Sequence, residues 1–207
     1  MKKQTIIMIL FIGSIWGILE ATLGYVLQFL PPLISGSVMF PIGAILMIYA
    51  YKNTDDVKSI FLVAFIAATI KSVNLLLPGL PPIKTYNPMI AIMLQAFSLF
   101  LVLKIVDQKN VLYQATSILF VSIFWRVLFY INISMNHALT QFNFPQLASN
   151  QATYQFLIPY GLMGALVLFI FYGLVRVFHK DFKLNFKLNP YVSFALFVFA
   201  LMMSYFL

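Results

Sequence analysis

The chain has no cysteine and only five acidic residues among 207. Without cysteine it can form no disulfide, no thiolate metal site and no thiol nucleophile. It also lacks a Gly-rich phosphate loop ending in Lys-Ser/Thr, a Gly-x-Ser-x-Gly turn and a His-Glu-x-x-His helix. These absences exclude ATP hydrolysis by the chain itself and the commonest hydrolase and metalloprotease sites. We predict neither a cofactor nor a metal site.

Charge of either sign is scarce, and hydrophobic residues take its place. Charged residues make up 9% of the chain and hydrophobic residues 62%, whereas soluble domains carry roughly 25% charged residues. The 22 Phe and 11 Tyr suit a lipid-facing surface with aromatic belts at both interfaces. The composition predicts an all-α, polytopic transmembrane helical bundle in the cell (inner) membrane.

Seven hydrophobic runs are candidates to cross the ~30 Å hydrocarbon core of a bilayer. They fall near residues 5–30, 36–51, 58–77, 87–106, 111–134, 154–178 and 190–207. We expect one domain over 1–207, with a six-helix core at about 5–178 and an extra span at 190–207, six or seven spans in all. The second run is short and contains Pro41, which predicts a tilted or broken span. The first run outlasts a signal peptide and has no clear cleavage site, so we interpret it as an uncleaved span.

The basic residues predict the orientation. With the N-terminus inside, ten of the 13 Lys and Arg residues are cytoplasmic, and Lys84 alone lies in an outer loop. This asymmetry follows the positive-inside rule and predicts a cytoplasmic N-terminus. It also accounts for the net charge of +8 without a nucleic-acid partner. The ten are Lys2, Lys3, Lys52, Lys58, Lys104, Lys109, Arg176, Lys180, Lys183 and Lys187.

Three ionisable residues, Glu20, Lys71 and Arg126, lie within the apolar runs. A charge at the bilayer centre costs at least ~2.5–3.5 kcal/mol, so such residues usually face the bundle interior and serve a function. At ~1.5 Å per residue, all three lie roughly 20–22 Å above the inner ends of their helices. Because the trio sums to +1, we expect a shared buried pocket that holds an anion.

Helical periodicity supports a common interior for two of these charges. Glu20 shares a face with Gly13 and Gly17, and Lys71 shares one with Ala64, Ala67 and Ala68. Small residues let membrane helices approach closely, so we expect Glu20 and Lys71 to pair and leave Arg126 uncompensated. In the alternative interpretation the pair only fixes helix register and Arg126 snorkels outward.

Further polar residues lie in the predicted outer half. Asn74 is one turn above Lys71, and Gln95 descends to a similar level on the fourth span. Asn87-Pro88 is either a helix start, with Asn as N-cap and Pro as first residue, or a ligand contact. The isolated His137 favours a loop hydrogen bond over a metal site. The candidate ligand-binding residues are Glu20, Lys71, Asn74, Gln95, Arg126, Asn87 and His137.

The outer loops are apolar, proline-rich and amide-rich, as expected for loops folded over a cavity mouth. Together with Gly13-x-x-x-Gly17-x-x-x-Ala21, they give the chain a resemblance to the substrate-binding S components of energy-coupling-factor vitamin transporters. Met39-Phe40-Pro41-Ile42-Gly43 and Asn87-Pro88 resemble segments of uncharacterised bacterial and archaeal membrane proteins of this general kind, and a related family of that kind is the alternative. The resemblance covers about residues 5–178. It implies an outward-facing pocket, a small-residue stripe that docks on a transmembrane coupling subunit, and separate ATPase chains.

We therefore expect a membrane-embedded subunit that captures a small anionic ligand from outside and contacts membrane lipids. Lys71 and Arg126 would hold the anionic group, and Glu20 would orient Lys71 or accept a donor from the ligand. Two alternatives stay open. One is a membrane enzyme acting on a lipid or isoprenoid phosphate, with Glu20 as acid or base. The other is a structural subunit of a membrane complex.

Overall fold

The computed structural model describes residues 2–30, 33–106, 110–178 and 188–206. Within these ranges the chain is all-helical and contains no strand. The helices are α1 Lys3–Val26, α2 Ser35–Thr54, α3 Lys58–Ser72, α4 Ile83–Val106, α5 Val111–Thr140, α6 Asn150–Leu157, α7 Pro159–Phe178 and α8 Pro190–Phe206. Short 3-10 turns follow α1 and α3 and precede α6. The predicted Lys109, Lys180, Lys183 and Lys187 fall outside the described residues, as do Pro31 and Pro32 of the first outer loop.

Five helical stretches in the described part of the chain are long and apolar enough to cross a membrane, which indicates a membrane protein. They are Lys3–Val26, Lys58–Leu76, Ile83–Leu103, Val111–Thr140 and Asn150–Val177. α8 is apolar but shorter. α2 has 20 residues, about 30 Å at 1.5 Å per residue.

The helix α2 lies at the centre of the bundle. It packs against α1, α3, α4 and α7, and its Phe40, Ala44 and Met47 are fully buried. Pro41 lies inside α2 without ending it, so the prediction of a broken second span is wrong. Proline is tolerated in membrane helices when neighbouring groups re-satisfy the freed backbone.

Two predicted boundaries need correction. α4 begins at Ile83 because the carbonyls of Pro81 and Pro82 accept the first-turn N–H bonds, so Asn87-Pro88 lies inside the helix and Asn87 is not its N-cap. α5 continues to Thr140 rather than ending near residue 134. There the polar side chains of Asn136 and Thr140 bond carbonyls one turn back, at Asn132 and Asn136, so they continue the helix instead of ending it.

The predicted span 154–178 is two helices rather than one. α6 ends at Leu157 and α7 begins at Pro159, with Ile158 between them at φ −97° and ψ −69°. Pro159 has no N–H to donate to the preceding turn, which breaks the helix there.

The last helix, α8, runs alongside α1 in the same direction. Near its start the carbonyl of Leu188 accepts a bond from Gln4, at the start of α1 (3.3 Å). Near its end Ser204 donates to Oδ1 of Asn74, which follows α3 (2.7 Å). α8 therefore extends from one end of the bundle to the other. The observed helix matches the predicted run 190–207.

Candidate functional site: two buried polar clusters

All three intramembrane charges are buried. Arg126 has no exposed surface, Glu20 is 9% exposed and Lys71 8%. The prediction that they face the interior is confirmed, and the snorkelling alternative for Arg126 is wrong.

Glu20 is fixed by a neighbour on its own helix. Nε1 of Trp16 donates to Oε1 of Glu20 at 3.2 Å. The Trp16 ring fills the space left by Gly43 of α2, where a Cβ would lie 2.8 Å from Cε2 of the indole. Trp16 is not among the site residues predicted from the sequence. The i, i+4 spacing of Trp16 and Glu20 was the signal that could have found this bond.

Lys71 approaches Glu20 across the packed α1–α3 interface. Gly13 and Gly17 of α1 lie directly against Ile66 and Ile70 of α3, where an added Cβ at Gly13 would meet Ile66 Cβ at 2.7 Å. The stripe that the resemblance implied as a docking surface is therefore covered by α3 of the same chain. The stripe lets α1 and α3 approach each other closely, because only residues without a large side chain permit such an approach.

The Glu20 and Lys71 charges interact across that interface without a direct ion pair. No N–O distance within 4.0 Å joins them among the described contacts. Lys71 also donates no hydrogen bond to a described protein group. Within the described residues, Glu20 accepts from Trp16, and Lys71 makes no bond that would close the pair.

Arg126 is held instead by groups on two other helices, α2 and α6, and by the neighbouring Trp125 of its own helix. Its Nη1 donates to the Phe156 carbonyl at 3.2 Å and its Nη2 to the Ser37 hydroxyl at 2.9 Å. Its guanidinium carbon lies 4.7 Å from the Trp125 ring centroid and 5.0 Å from that of Phe156. Such stacking suits the weakly hydrated guanidinium.

The bonds of Arg126 belong to a larger set directed at the break between α6 and α7. The Ser37 hydroxyl in turn donates to the Tyr160 carbonyl (2.8 Å), and the Ser122 hydroxyl donates to the Gly161 carbonyl (2.7 Å). Broken helices in membranes require that freed backbone groups find partners in neighbouring elements. The C-terminal end of α6 also carries partial negative charge, which favours a cation there. No described acid pairs with Arg126, and its Nε is buried without a described hydrogen-bond partner, so these contacts offset its charge only in part.

The predicted trio consequently divides into two clusters. α1 packs on α2, α3 and α8, whereas α5 packs on α4, α6 and α7. No described contact joins Arg126 to Glu20 or Lys71. The prediction of one pocket shared by all three is corrected: similar depth does not bring residues together when another helix, α2, lies between theirs.

The remaining candidates have separate environments. Asn74 accepts the bond from Ser204 and ties α8 to the end of α3. Gln95 is 4% exposed, and its Oε1 has no described hydrogen-bond partner. Oδ1 of Asn87 is likewise buried without a described partner. Nδ1 of His137 lies 2.8 Å from the Phe142 carbonyl, which confirms the predicted loop hydrogen bond.

Two surface depressions were found away from the buried charges. One, of about 340 Å³, is an apolar groove along the outer face of α5, from Thr116 to Val127. The other, of about 320 Å³, lies between His137 and residues 143–148. Neither is lined by Glu20, Lys71 or Arg126.

Comparison with protein-family models, curated proteins and solved structures finds no match. The resemblance to S components therefore stays a prediction.

Proposed function

We propose that the chain is a multi-pass protein of the cell's inner membrane that binds a small molecule between Glu20 and Lys71. In this proposal it serves an uptake system whose energising subunits are separate chains. One observation carries it: the buried Glu20 and Lys71 lie near each other across the α1–α3 interface without closing into an ion pair. Glu20 accepts from Trp16, whereas the Lys71 ammonium has no described protein acceptor. A charge inside a membrane helix usually marks a functional site.

A second buried group supports the same region. Gln95 lies on α4, which packs against α3, the helix of Lys71, and its carbonyl oxygen has no described donor. Lys71 can donate to a ligand, while Glu20 and Gln95 can accept from one. The proposed site therefore has both kinds of hydrogen-bonding group at one interior level.

The proposed ligand differs from the anion that the sequence suggested. That expectation depended on Arg126 joining the pair, and Arg126 is bonded to Ser37 and Phe156 instead. Glu20 and Lys71 together carry no net formal charge. A neutral or zwitterionic molecule, with a donor for Glu20 and an acceptor for Lys71, suits them better than an anion does.

The proposed topology has seven crossings, with the N-terminus in the cytoplasm. The distribution of basic residues supports this orientation. α8 supports the count because it extends from Gln4 at one end of α1 to Asn74 at the other end of α3. Since the Gly13–Gly17 stripe is covered by α3, a coupling subunit would have to dock on another surface.

Native mass spectrometry of the freshly purified protein tests the binding role. We expect a co-purifying small molecule on the unmodified chain and its loss from Lys71→Gln. Lys84→Gln is the matched control, because Lys84 is exposed in the first turn of α4 and should leave the bound molecule in place. If no molecule is retained, or if both variants retain it equally, the proposed site is wrong.

The second candidate is a structural subunit of a membrane complex. Arg126 favours it, because all the groups that hold this charge belong to the chain itself. In that case Lys71→Gln would lower thermal stability, and no small molecule would be found on any variant.

A further inference from the structure

The segment between α5 and α7 has the features of a single movable unit. It comprises residues 142–157, which include the 3-10 turn Pro145–Leu147 and α6. Its parts are bonded to one another: Thr153 donates to the Gln146 carbonyl at 2.9 Å, and the Ser149 hydroxyl caps α6 at Ala152. These internal bonds would let it move without unfolding.

Each end of this segment has a backbone feature suited to a hinge. At one end Gln141 adopts a left-handed conformation, φ 58°, and ends α5. At the other, Ile158 and Pro159 interrupt the helix, where Pro159 has no N–H to bond. Rotation at these two points requires no change inside the unit.

The contacts that anchor the segment to the bundle are mostly hydrophobic. Phe144 and Phe156 are buried, at 4% and 3% exposure, and the half-buried Phe142, Leu147 and Leu157 also pack against the core. The other side chains of the segment are exposed or half-buried. The Phe156 ring lies 6.3 Å from that of Trp125 and 6.1 Å from that of Phe129. Regions with few buried contacts open locally at lower free energy than the whole fold.

Arg126 supplies the strongest of these anchors. Its Nη1 bonds the Phe156 carbonyl while its guanidinium stacks on the Phe156 ring, so one side chain from α5 holds both backbone and side chain of the segment's last turn. Hydrogen bonds from charged donors are roughly twice as strong as neutral ones.

We infer that residues 142–157 form a hinged cover that swings as one unit about Gln141 and Ile158–Pro159, and that Arg126 is the latch that holds it closed. Opening would uncover Trp125, Arg126 and Phe129 at that end of the bundle. This inference does not depend on ligand binding by Glu20 and Lys71.

Spin labels can test the cover directly, because the chain has no cysteine of its own. Labels at Tyr154→Cys and Leu76→Cys, both on exposed residues (60% and 71%), report the distance from the cover to the bundle in nanodiscs. A second pair, Leu76→Cys with Leu162→Cys, reports on α7 beyond the hinge. Because α6 is about 12 Å long, a swing should lengthen the first distance by roughly 5 Å or more and leave the second unchanged.

Two variants should open the cover and one should not. Arg126→Met removes the latch, and Phe156→Ala removes the aromatic anchor while keeping the carbonyl that Arg126 bonds. In each we expect the longer-distance population to rise roughly 10-fold or more, as befits the loss of a charge-assisted hydrogen bond or a buried aromatic ring. Ser122→Ala is the control, since Ser122 bonds Gly161 on the α7 side of the hinge.

Two results would overturn the inference. In the first, the Tyr154–Leu76 distance stays unchanged in both variants. In the second, the Leu76–Leu162 distance distribution broadens along with the Tyr154–Leu76 distribution in both variants. That would mean that residues 142–157 do not move separately from the bundle.

Discussion

The indole N–H of Trp16 donates to the carboxylate of Glu20 at 3.2 Å, and the same ring packs against α2 at Gly43. The one acid inside a membrane helix is thus held in place by a fully buried aromatic residue. This contact links the proposed site to the tightest packing between α1 and α2.

Trp16→Phe should destabilise the protein more than Trp125→Phe. Both indoles are buried, but Nε1 of Trp125 has no described hydrogen-bond partner. Only the first substitution leaves an acceptor unpaired, which costs about 1–3 kcal/mol. The unfolding free energy from titration with a denaturing detergent measures the difference. Equal losses would show that the bond to Glu20 contributes nothing.

Gly43→Ala should be strongly destabilising, whereas Gly173→Ala should not. A Cβ at Gly43 would meet the Trp16 ring, which is held by Glu20 and cannot easily yield; overpacking of this kind typically costs about 1–3 kcal/mol. At Gly173 an added Cβ meets nothing within 4 Å, and alanine is the better helix former by about 1 kcal/mol. In thermal unfolding in detergent, we expect Gly43→Ala to lower the melting temperature and Gly173→Ala to leave it unchanged or raise it.

The burial of Glu20, Lys71 and Arg126 could be predicted from sequence because a charge in an apolar helix has few stable alternatives to the bundle interior. Their partners could not. Helical periodicity gives the face on which a residue lies but not the helix that covers it, so it could not place α2 between α1 and α5. Arg126 was harder still, because one of its acceptors is the backbone carbonyl of Phe156, and any residue type carries such a group.

The helix boundaries show the same limit. Pro41 and Pro159 both lie inside hydrophobic runs of the sequence. Yet α2 continues through Pro41, whereas the helix breaks at Pro159. Beside Pro159, Arg126 of α5 donates to the Phe156 carbonyl at the end of α6. That donor is 30 residues away in sequence, so this compensation for the break follows from tertiary packing.

Arg126→Lys should lower stability much more than Arg176→Lys. A lysine can keep the charge but cannot bond Ser37 and the Phe156 carbonyl together, nor stack on both rings. Loss of a hydrogen bond to a charged group costs about 1.5–3 kcal/mol. Arg176 lies half-buried at the end of α7, and its replacement should be nearly neutral. Similar melting temperatures for the two variants would contradict the latch.

Arg126→Lys also tests whether the two clusters act independently. Because no described contact joins it to Glu20 or Lys71, Arg126→Lys should reduce stability while leaving any molecule bound at the Glu20–Lys71 pair in place below the melting temperature. Native mass spectrometry at low temperature checks this. Loss of the bound molecule from the folded variant would restore the single pocket that the sequence suggested.

The proposed orientation can be tested with single cysteines, since any label then reports one position. We use Lys84→Cys at the proposed outer end of α4 and Lys58→Cys at the proposed inner end of α3. Both residues are exposed. A membrane-impermeant maleimide added to intact cells should label position 84 at once and position 58 only after permeabilisation. Tyr205→Cys, near the end of α8, should behave like position 84, because α8 runs parallel to α1 and ends beside Asn74. If position 58 is labelled at once and position 84 only after permeabilisation, the proposed topology is the wrong way round. If position 205 is protected in intact cells, α8 does not cross the membrane.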